Sequence, residues 1–251
     1  MKRLTLVMVI KSALYNLMLP LILLHTQTVS FAQHTFWDNK LCTSTITSIA
    51  KEGNDFWLTA FGGGLMKFNP NTSSTFFYNR HNSNIPSVCM SAVTVDSSGY
   101  KWIGTNNNVT GLVRFDGANN WICFNTSNCP LISNYINCLK VYGNDLWVGT
   151  RNGLAKFDGV NWTIFDSVSF AGNKFAVNGV SDIAVDSSGN IWIACPYIGL
   201  MYFNGVNWKV FTDSNSGINC GISNAIYTVT LDTSGNCLVG HGRGFSSFWK
   251  K

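Results

Sequence analysis

Between residues 46 and 248, apolar and polar positions alternate in short runs, and the runs recur. Aligned on a tryptophan, Phe56-Trp57-Leu58-Thr59 matches Lys101-Trp102-Ile103-Gly104, then Leu146-Trp147-Val148-Gly149, then Ile191-Trp192-Ile193-Ala194. Cys237-Leu238-Val239-Gly240 is a fifth copy, with Leu238 in the place of the tryptophan. The anchors at 57, 102, 147, 192 and 238 are 45, 45, 45 and 46 residues apart. A constant period of about 40–45 residues with several short strands per period marks a propeller of four-stranded blades.

Each copy carries the same parts. An apolar run comes first, such as Ile46 to Ala50 or Ile183 to Val185. A tight turn follows, as in Asp96-Ser97-Ser98-Gly99, where Asp starts the turn and Gly takes a positive φ. The tryptophan strand is second. The third strand ends Leu65-Met66-Lys67-Phe68, Leu112-Val113-Arg114-Phe115 or Leu154-Ala155-Lys156-Phe157, a period-two pattern. A turn such as Asp158-Gly159-Val160-Asn161 then leads to a fourth strand, Trp121 to Phe124, Trp162 to Phe165 or Trp208 to Phe211.

The fifth copy stops after its third strand, at Phe248-Trp249. At the other end, His34-Thr35-Phe36-Trp37-Asp38 resembles the fourth strand Thr75-Phe76-Phe77-Tyr78-Asn79. The expectation is therefore an all-β, five-bladed β-propeller whose ring is closed by an N-terminal strand joining the last blade. Closure removes sheet edges, which otherwise invite aggregation. The rival reading is a fragment of a longer propeller, and the fit of the two ends argues against it.

Residues 1–32 read as a secretory signal. Lys2 and Arg3 open it, Leu17 to Leu24 is its apolar core, and Ser30-Phe31-Ala32 offers a cleavage site after Ala32. Residues 33–251 form one domain, and the localisation expected is secreted or periplasmic. The uninterrupted apolar run is shorter than the roughly 20 residues of a membrane span, so no stable membrane insertion of the mature chain is expected. Loss of Lys2, Arg3 and Lys11 lowers the formal charge from +5 to +2. No basic cluster stands out, which argues against a nucleic-acid partner. Charged residues make up 12% of the chain, about half the usual share of roughly 25%, so Asn, Ser, Thr and Gly must supply the polar surface. The eight cysteines show no metal spacing, and neither a metal nor another cofactor is expected. Cys123, Cys195 and Cys237 replace apolar or small strand residues and read as buried side chains. Cys129 and Cys138 flank one inter-blade connection, where a disulfide would fit.

In this architecture the loops from strand two to three, and from blade to blade, emerge at one end, where the channel opens and ligands bind. The candidate ligand-binding residues there are Asn106, Asn107, Arg151, Asn152, Tyr197, His241 and Arg243, with Asn108, Arg80, His81 and Lys174 nearby. Asn, Arg and Tyr suit a polar ligand such as a sugar; the plain alternative is ordinary solvated loop chemistry. His241 breaks the repeat, standing where other copies have Ala60, Thr105, Thr150 and Cys195. Cys195 and His241 read either as nucleophile and base or as drift, and no orienting carboxylate is evident. Glycoside hydrolysis needs two facing carboxyl groups; the acidic residues sit mainly in turns, and Asp182 alone is on an inner strand. Trp121, Trp162 and Trp208 read as packing between blades rather than sugar-stacking platforms.

The run Asp96-Ser97-Ser98-Gly99-Tyr100-Lys101-Trp102-Ile103-Gly104-Thr105, followed by Gly111-Leu112-Val113-Arg114-Phe115-Asp116-Gly117, resembles the two-component regulator propeller repeat. The resemblance covers nearly all of residues 46–249. It implies an extracytoplasmic bacterial propeller, commonly the sensory part of hybrid histidine kinases that detect polysaccharide fragments. This sequence carries no kinase region. The reading is an exported, non-enzymatic, monomeric propeller that binds a glycan or a protein partner at the channel mouth. The alternatives are a lyase or carbohydrate-active enzyme working through His241, and a structural or adhesion component of a secreted assembly.

Overall fold

The computed structural model describes residues 44–170, 173–177, 179–219 and 225–248, with backbone only over 167–176. The signal segment 1–32, the expected closing strand at 34–38, Cys42 and Cys220 lie outside the described residues.

Five antiparallel sheets follow one another along the chain. Blade 1 is β1 (Ile46–Glu52), β2 (Asp55–Ala60), β3 (Gly64–Asn69) and β4 (Ser74–Tyr78). Blade 2 is β5 (Met90–Val95), β6 (Lys101–Thr105), β7 (Leu112–Phe115) and β8 (Trp121–Phe124). Blade 3 is β9 (Ile136–Tyr142), β10 (Asp145–Thr150), β11 (Gly153–Phe157) and β12 (Trp162–Phe165). A hairpin, β13 (Ser167–Phe170) and β14 (Asn173–Ala176), leads to blade 4: β15 (Asp182–Val185), β16 (Ile191–Cys195), β17 (Gly199–Phe203) and β18 (Trp208–Phe211). A one-turn helix, α1 (Asp213–Ser216), precedes blade 5, whose described strands are β19 (Ile226–Leu231), β20 (Cys237–His241) and β21 (Gly244–Phe248). Each sheet is a simple meander, and the inner strands β1, β5, β9, β15 and β19 pack each against the next. No helix among the described residues is long and apolar enough to cross a membrane.

The local chemistry of the repeat explains the meander. In the Asp-x-x-Gly turns Asp96, Asp186 and Asp232 accept backbone N–H bonds, for example from Ser98 at 2.9 Å and Tyr100 at 3.0 Å, and Gly99 takes φ 80°. These aspartates are turn caps. The Gly of Trp-Ile-Gly-Thr has a different job. A Cβ on Gly149 would lie 2.6 Å from Val180 Cγ1 of the next blade, and one on Gly104 would lie 2.7 Å from Ile136 Cγ2. Only glycine lets the next inner strand come this close. The following Thr closes the hairpin: Thr105 and Thr150 Oγ1 donate to the Gly111 and Gly153 carbonyls at 2.8 and 2.9 Å.

Blades are joined by two devices. The first is a set of aromatic quartets: Trp57 and Tyr78 meet Phe115 and Trp121, Trp102 and Phe124 meet Phe157 and Trp162, and Trp147 and Phe165 meet Phe203 and Trp208. Trp121, Trp162 and Trp208 therefore pack, as expected, with Trp121 stacked on Phe115 at 3.8 Å. Trp192 and Phe211 meet Phe248 across the blade 4–5 boundary.

The second device is a hydrogen-bonded hook at the start of four of the five inner strands. Bulges there turn one residue away from its own sheet. Thr47 Oγ1 donates to the Met90 carbonyl at 3.0 Å, Ser91 Oγ to that of Ile136, Asn137 Nδ2 to Val180 at 2.9 Å, and Ser181 Oγ to Ile226 at 3.2 Å. The fifth equivalent, Tyr227, is 54% exposed and makes no such bond among the described residues. Around it, Phe245 is 78% exposed, and Ile49 of β1 is 60% exposed.

One expectation is corrected. Cys129 and Cys138 are both free thiols. Cys129 Sγ lies 3.3 Å from the Asn125 carbonyl, and Cys138 is buried against blade 4. Asp182 lies on the inner strand β15, as read from the sequence, and its carboxylate accepts Thr228 Oγ1 at 2.6 Å and the Val229 N–H at 3.0 Å, tying blade 4 to blade 5.

Ser181→Ala removes one hook and is expected to lower the unfolding free energy by about 0.5–1.5 kcal/mol. Trp147→Ala opens an aromatic quartet and is expected to cost about 3–5 kcal/mol. Urea midpoints at unchanged m value measure both; a Ser181→Ala loss equal to that of Trp147→Ala would mean the hooks dominate.

Candidate functional site

The scaffold repeats, but the hairpin tips at the channel mouth do not. Two residues follow each second strand: Phe61-Gly62, Asn106-Asn107, Arg151-Asn152, Pro196-Tyr197 and Gly242-Arg243. The register of the strands places these pairs at one end of their blades. Between blades 2, 3 and 4 they border a cavity of about 860 Å³ lined by Asn106, Tyr135, Asn137, Arg151, Asn152, Gly179, Ser181, Pro196 and Tyr197. A second cavity of about 310 Å³ adjoins it, lined by Asn108, Thr126, Ser133, Asn134, Tyr135, Arg151 and Asn152. Tyr135, Arg151 and Asn152 are common to both.

Backbone bonds fix this wall. The Arg151 N–H donates to the Tyr135 carbonyl at 3.0 Å, and the Asn106 N–H to that of Cys89 at 2.9 Å. The Arg151 guanidinium lies over the Tyr135 ring, 5.5 Å from its centroid. Tyr197 is 77% exposed and sits against Gly179, whose φ of 66° turns the backbone beneath the ring. Asn137 and Ser181 reach the cavity while serving as hooks.

Four of the seven sequence-derived candidates thus share one cavity: Asn106, Arg151, Asn152 and Tyr197. Three are engaged elsewhere. Asn107 braces its own loop, donating to Ser87 Oγ at 2.9 Å and accepting the Val109 and Thr110 N–H groups. His241 Nε2 is 3.0 Å from Ser246 Oγ within its own hairpin, and its Nδ1 accepts the Arg243 N–H at 3.3 Å. Arg243 Nη1 donates to Asn219 Oδ1 at 2.9 Å. Asn108 lines the smaller cavity; Arg80 and His81 line neither, and Lys174 falls where only backbone is described. Tyr135, Asn137 and Ser181 were missed, although aligning the inner strands puts Thr47, Ser91, Asn137, Ser181 and Tyr227 at one polar position.

The nucleophile reading of Cys195 meets a physical obstacle. Its thiol is buried beside Met201, with Sγ 3.6 Å from the thioether sulfur, and burial pushes its pKa up to about 12. A thiolate is scarcely populated there at neutral pH.

Charge is distributed unevenly between the two ends. Glu52, Asp55, Asp96, Asp116, Asp145, Asp158, Asp186 and Asp232 all sit in or beside the turns at the far end of the blades. Many are already engaged: Asp55 pairs with Lys67 at 2.8 Å, Asp145 with Lys156 at 3.1 Å, and Glu52 with Lys101 at 2.8 Å. Arg151 has no carboxylate within ion-pair distance among the described residues.

Residues 174–197, from β14 to the Tyr197 tip, match the family described as two component regulator propeller. That stretch carries the two component regulator propeller repeat. Among solved structures it is similar to an extracellular domain assigned to a hybrid two component system of B. thetaiotaomicron, with TM-score 0.70 and 20% identity over 85% of this chain and 29% of that one. A second such domain from the same organism gives TM-score 0.64 at 18% identity, over 84% of this chain and 28% of the other. PorZ, an essential surface component of the type-IX secretion system of Porphyromonas gingivalis, gives TM-score 0.63 and 18% identity over 81% of this chain and 32% of PorZ. The chain spans less than a third of the length of these structures. No curated protein matches the sequence.

Burial raises the thiol pKa of both Cys195 and Cys237 to about 12. The folded chain is therefore expected to leave both unalkylated by iodoacetamide at pH 8, and to label them only after denaturation; peptide mapping checks this. The sign for stability follows: a thiol whose pKa is higher when folded favours the fold below the ordinary value of 9.0, and that contribution declines as pH rises toward 12.

Proposed function

We propose that this chain is an exported, non-enzymatic propeller that binds a polar ligand at its channel mouth, in the manner of a sensor domain. Residues 1–32 act as its secretory signal. The observation that carries the reading is the contrast within the repeat. Turns, tryptophans and hooks recur from blade to blade, whereas the tips Asn106, Arg151-Asn152 and Pro196-Tyr197 differ and meet at the largest cavity described, about 860 Å³. Divergent loops on a rigid scaffold are the usual place for recognition.

The lining supports a hydroxyl-rich ligand such as a glycan fragment. Asn side chains offer both donor and acceptor groups, and exposed Tyr rings offer flat apolar faces. Buried protonated Cys195, hairpin-bound His241 and blade-bridging Asp182 favour binding over catalysis. The similarity to extracellular domains of two component systems adds weight to a sensor role outside the cytoplasm.

A thermal-shift screen of residues 33–251 against a broad oligosaccharide and polysaccharide panel tests the proposal. A ligand selective for the folded state raises Tm in a saturable way. Tyr197→Ala is expected to reduce that shift without lowering the Tm of the free protein. A flat panel with folded protein would remove the glycan reading and favour a protein partner.

A further inference from the structure

We propose that the channel-mouth site selects acidic oligosaccharides, with Arg151 recognising a carboxylate on the sugar. This deepens, and rests on, the ligand-binding reading above.

The central observation is an arginine that is positioned but not used. Lys67 and Lys156, on equivalent third strands, each pair with an aspartate. Arg151 pairs with none among the described residues, yet its backbone is tied to Tyr135 and its guanidinium lies over that ring. A planar fork held on an aromatic face keeps its N–H donors free for a bidentate carboxylate. Because the fork is already held, less conformational entropy is lost on binding.

Position then indicates the size of the ligand. Arg151, Tyr135 and Asn152 are the shared wall of the two adjoining cavities. A single sugar occupies one cavity, whereas an oligomer spanning both crosses Arg151. Tyr197 lines the far side of the larger cavity, and Asn106 and Asn152 supply partners for hydroxyl groups. Eight of the described carboxylates lie in or beside the turns at the opposite end of the blades, whereas Asp166, Asp182 and Asp213 lie at the mouth end, where Asp182 is held by Thr228 and Val229. One guanidinium among amides and tyrosines, with no basic cluster, fits a sparsely charged uronate chain better than a polyphosphate or nucleic acid.

Titration calorimetry of the full mature chain tests this, using oligomers of galacturonate, glucuronate and mannuronate, each beside its carboxyl-reduced counterpart. At least one acidic oligomer is expected to bind about tenfold or more tightly than its reduced form, equivalent to about 1.4 kcal/mol. Added salt should narrow the gap. Arg151→Gln should abolish the discrimination at unchanged Tm, Arg151→Lys should keep part of it, and Arg243→Gln, outside the cavity, should leave it intact. Equal binding of acidic and reduced forms, or discrimination that survives in Arg151→Gln, overturns the inference. If only neutral glycans bind, the inference falls and the ligand-binding reading stands; if no glycan of either kind binds, the inference and the glycan form of that reading fall together.

Discussion

The contact between one blade and the next is the constraint on which the rest depends. A single four-stranded sheet cannot bury both its faces. Blades 2, 3 and 4 each lend one face to the preceding blade and one to the next, and the largest buried side chains, such as Trp57, Phe115 and Ile193, lie in these contacts between neighbouring blades. The contact must be close near the channel, which excludes a side chain at Gly104 and Gly149. It must also satisfy the carbonyls left by the bulged inner strands, which Thr47, Ser91, Asn137 and Ser181 do from the neighbouring blade. Aromatic bulk outside and polar hooks inside therefore answer two separate demands: area, and buried hydrogen-bonding groups.

That arrangement also sets where recognition can occur. Two of the hooks, Asn137 and Ser181, also line the cavity that the hairpin tips border. Their donor groups are committed to the Val180 and Ile226 carbonyls. The tips meet the neighbouring connections through backbone bonds, such as the Gly179 N–H to the Arg151 carbonyl at 2.8 Å, which leaves their side chains to vary in chemistry, as at Asn106, Arg151 and Pro196. The far end is chemically different. Its turns need Asp as a cap, so most of the described carboxylates lie there.

Several side chains show how far a linear pattern carries. The period-two runs and the Trp spacing gave blades, strand order and the packing role of Trp121, Trp162 and Trp208, because those depend on neighbours along the chain and on a repeat that is visible. The same alignment drew attention to His241 for breaking the pattern; the fold gives it a local partner, Ser246. Asn107 and Asn152 occupy equivalent positions in sequence, yet Asn107 closes its own loop and Asn152 faces the cavity. The difference comes from loop length, since five residues follow Thr105 before Gly111 and only two follow Thr150 before Gly153.

The sequence by itself determined the architecture. Turn chemistry, alternation and a constant period are local properties, and repeated five times they admit one way of burying the tryptophans. Tertiary structure alone decided which polar residues converge. The repeat placed Asn106, Arg151 and Tyr197 at one end of their blades, but that Tyr135, just ahead of β9, holds the Arg151 guanidinium and lines the same cavity depends on blade stacking. It likewise decided that Asp182 bridges blades and that Cys129 and Cys138 stay apart as thiols, because both outcomes depend on which face of a strand meets the next blade.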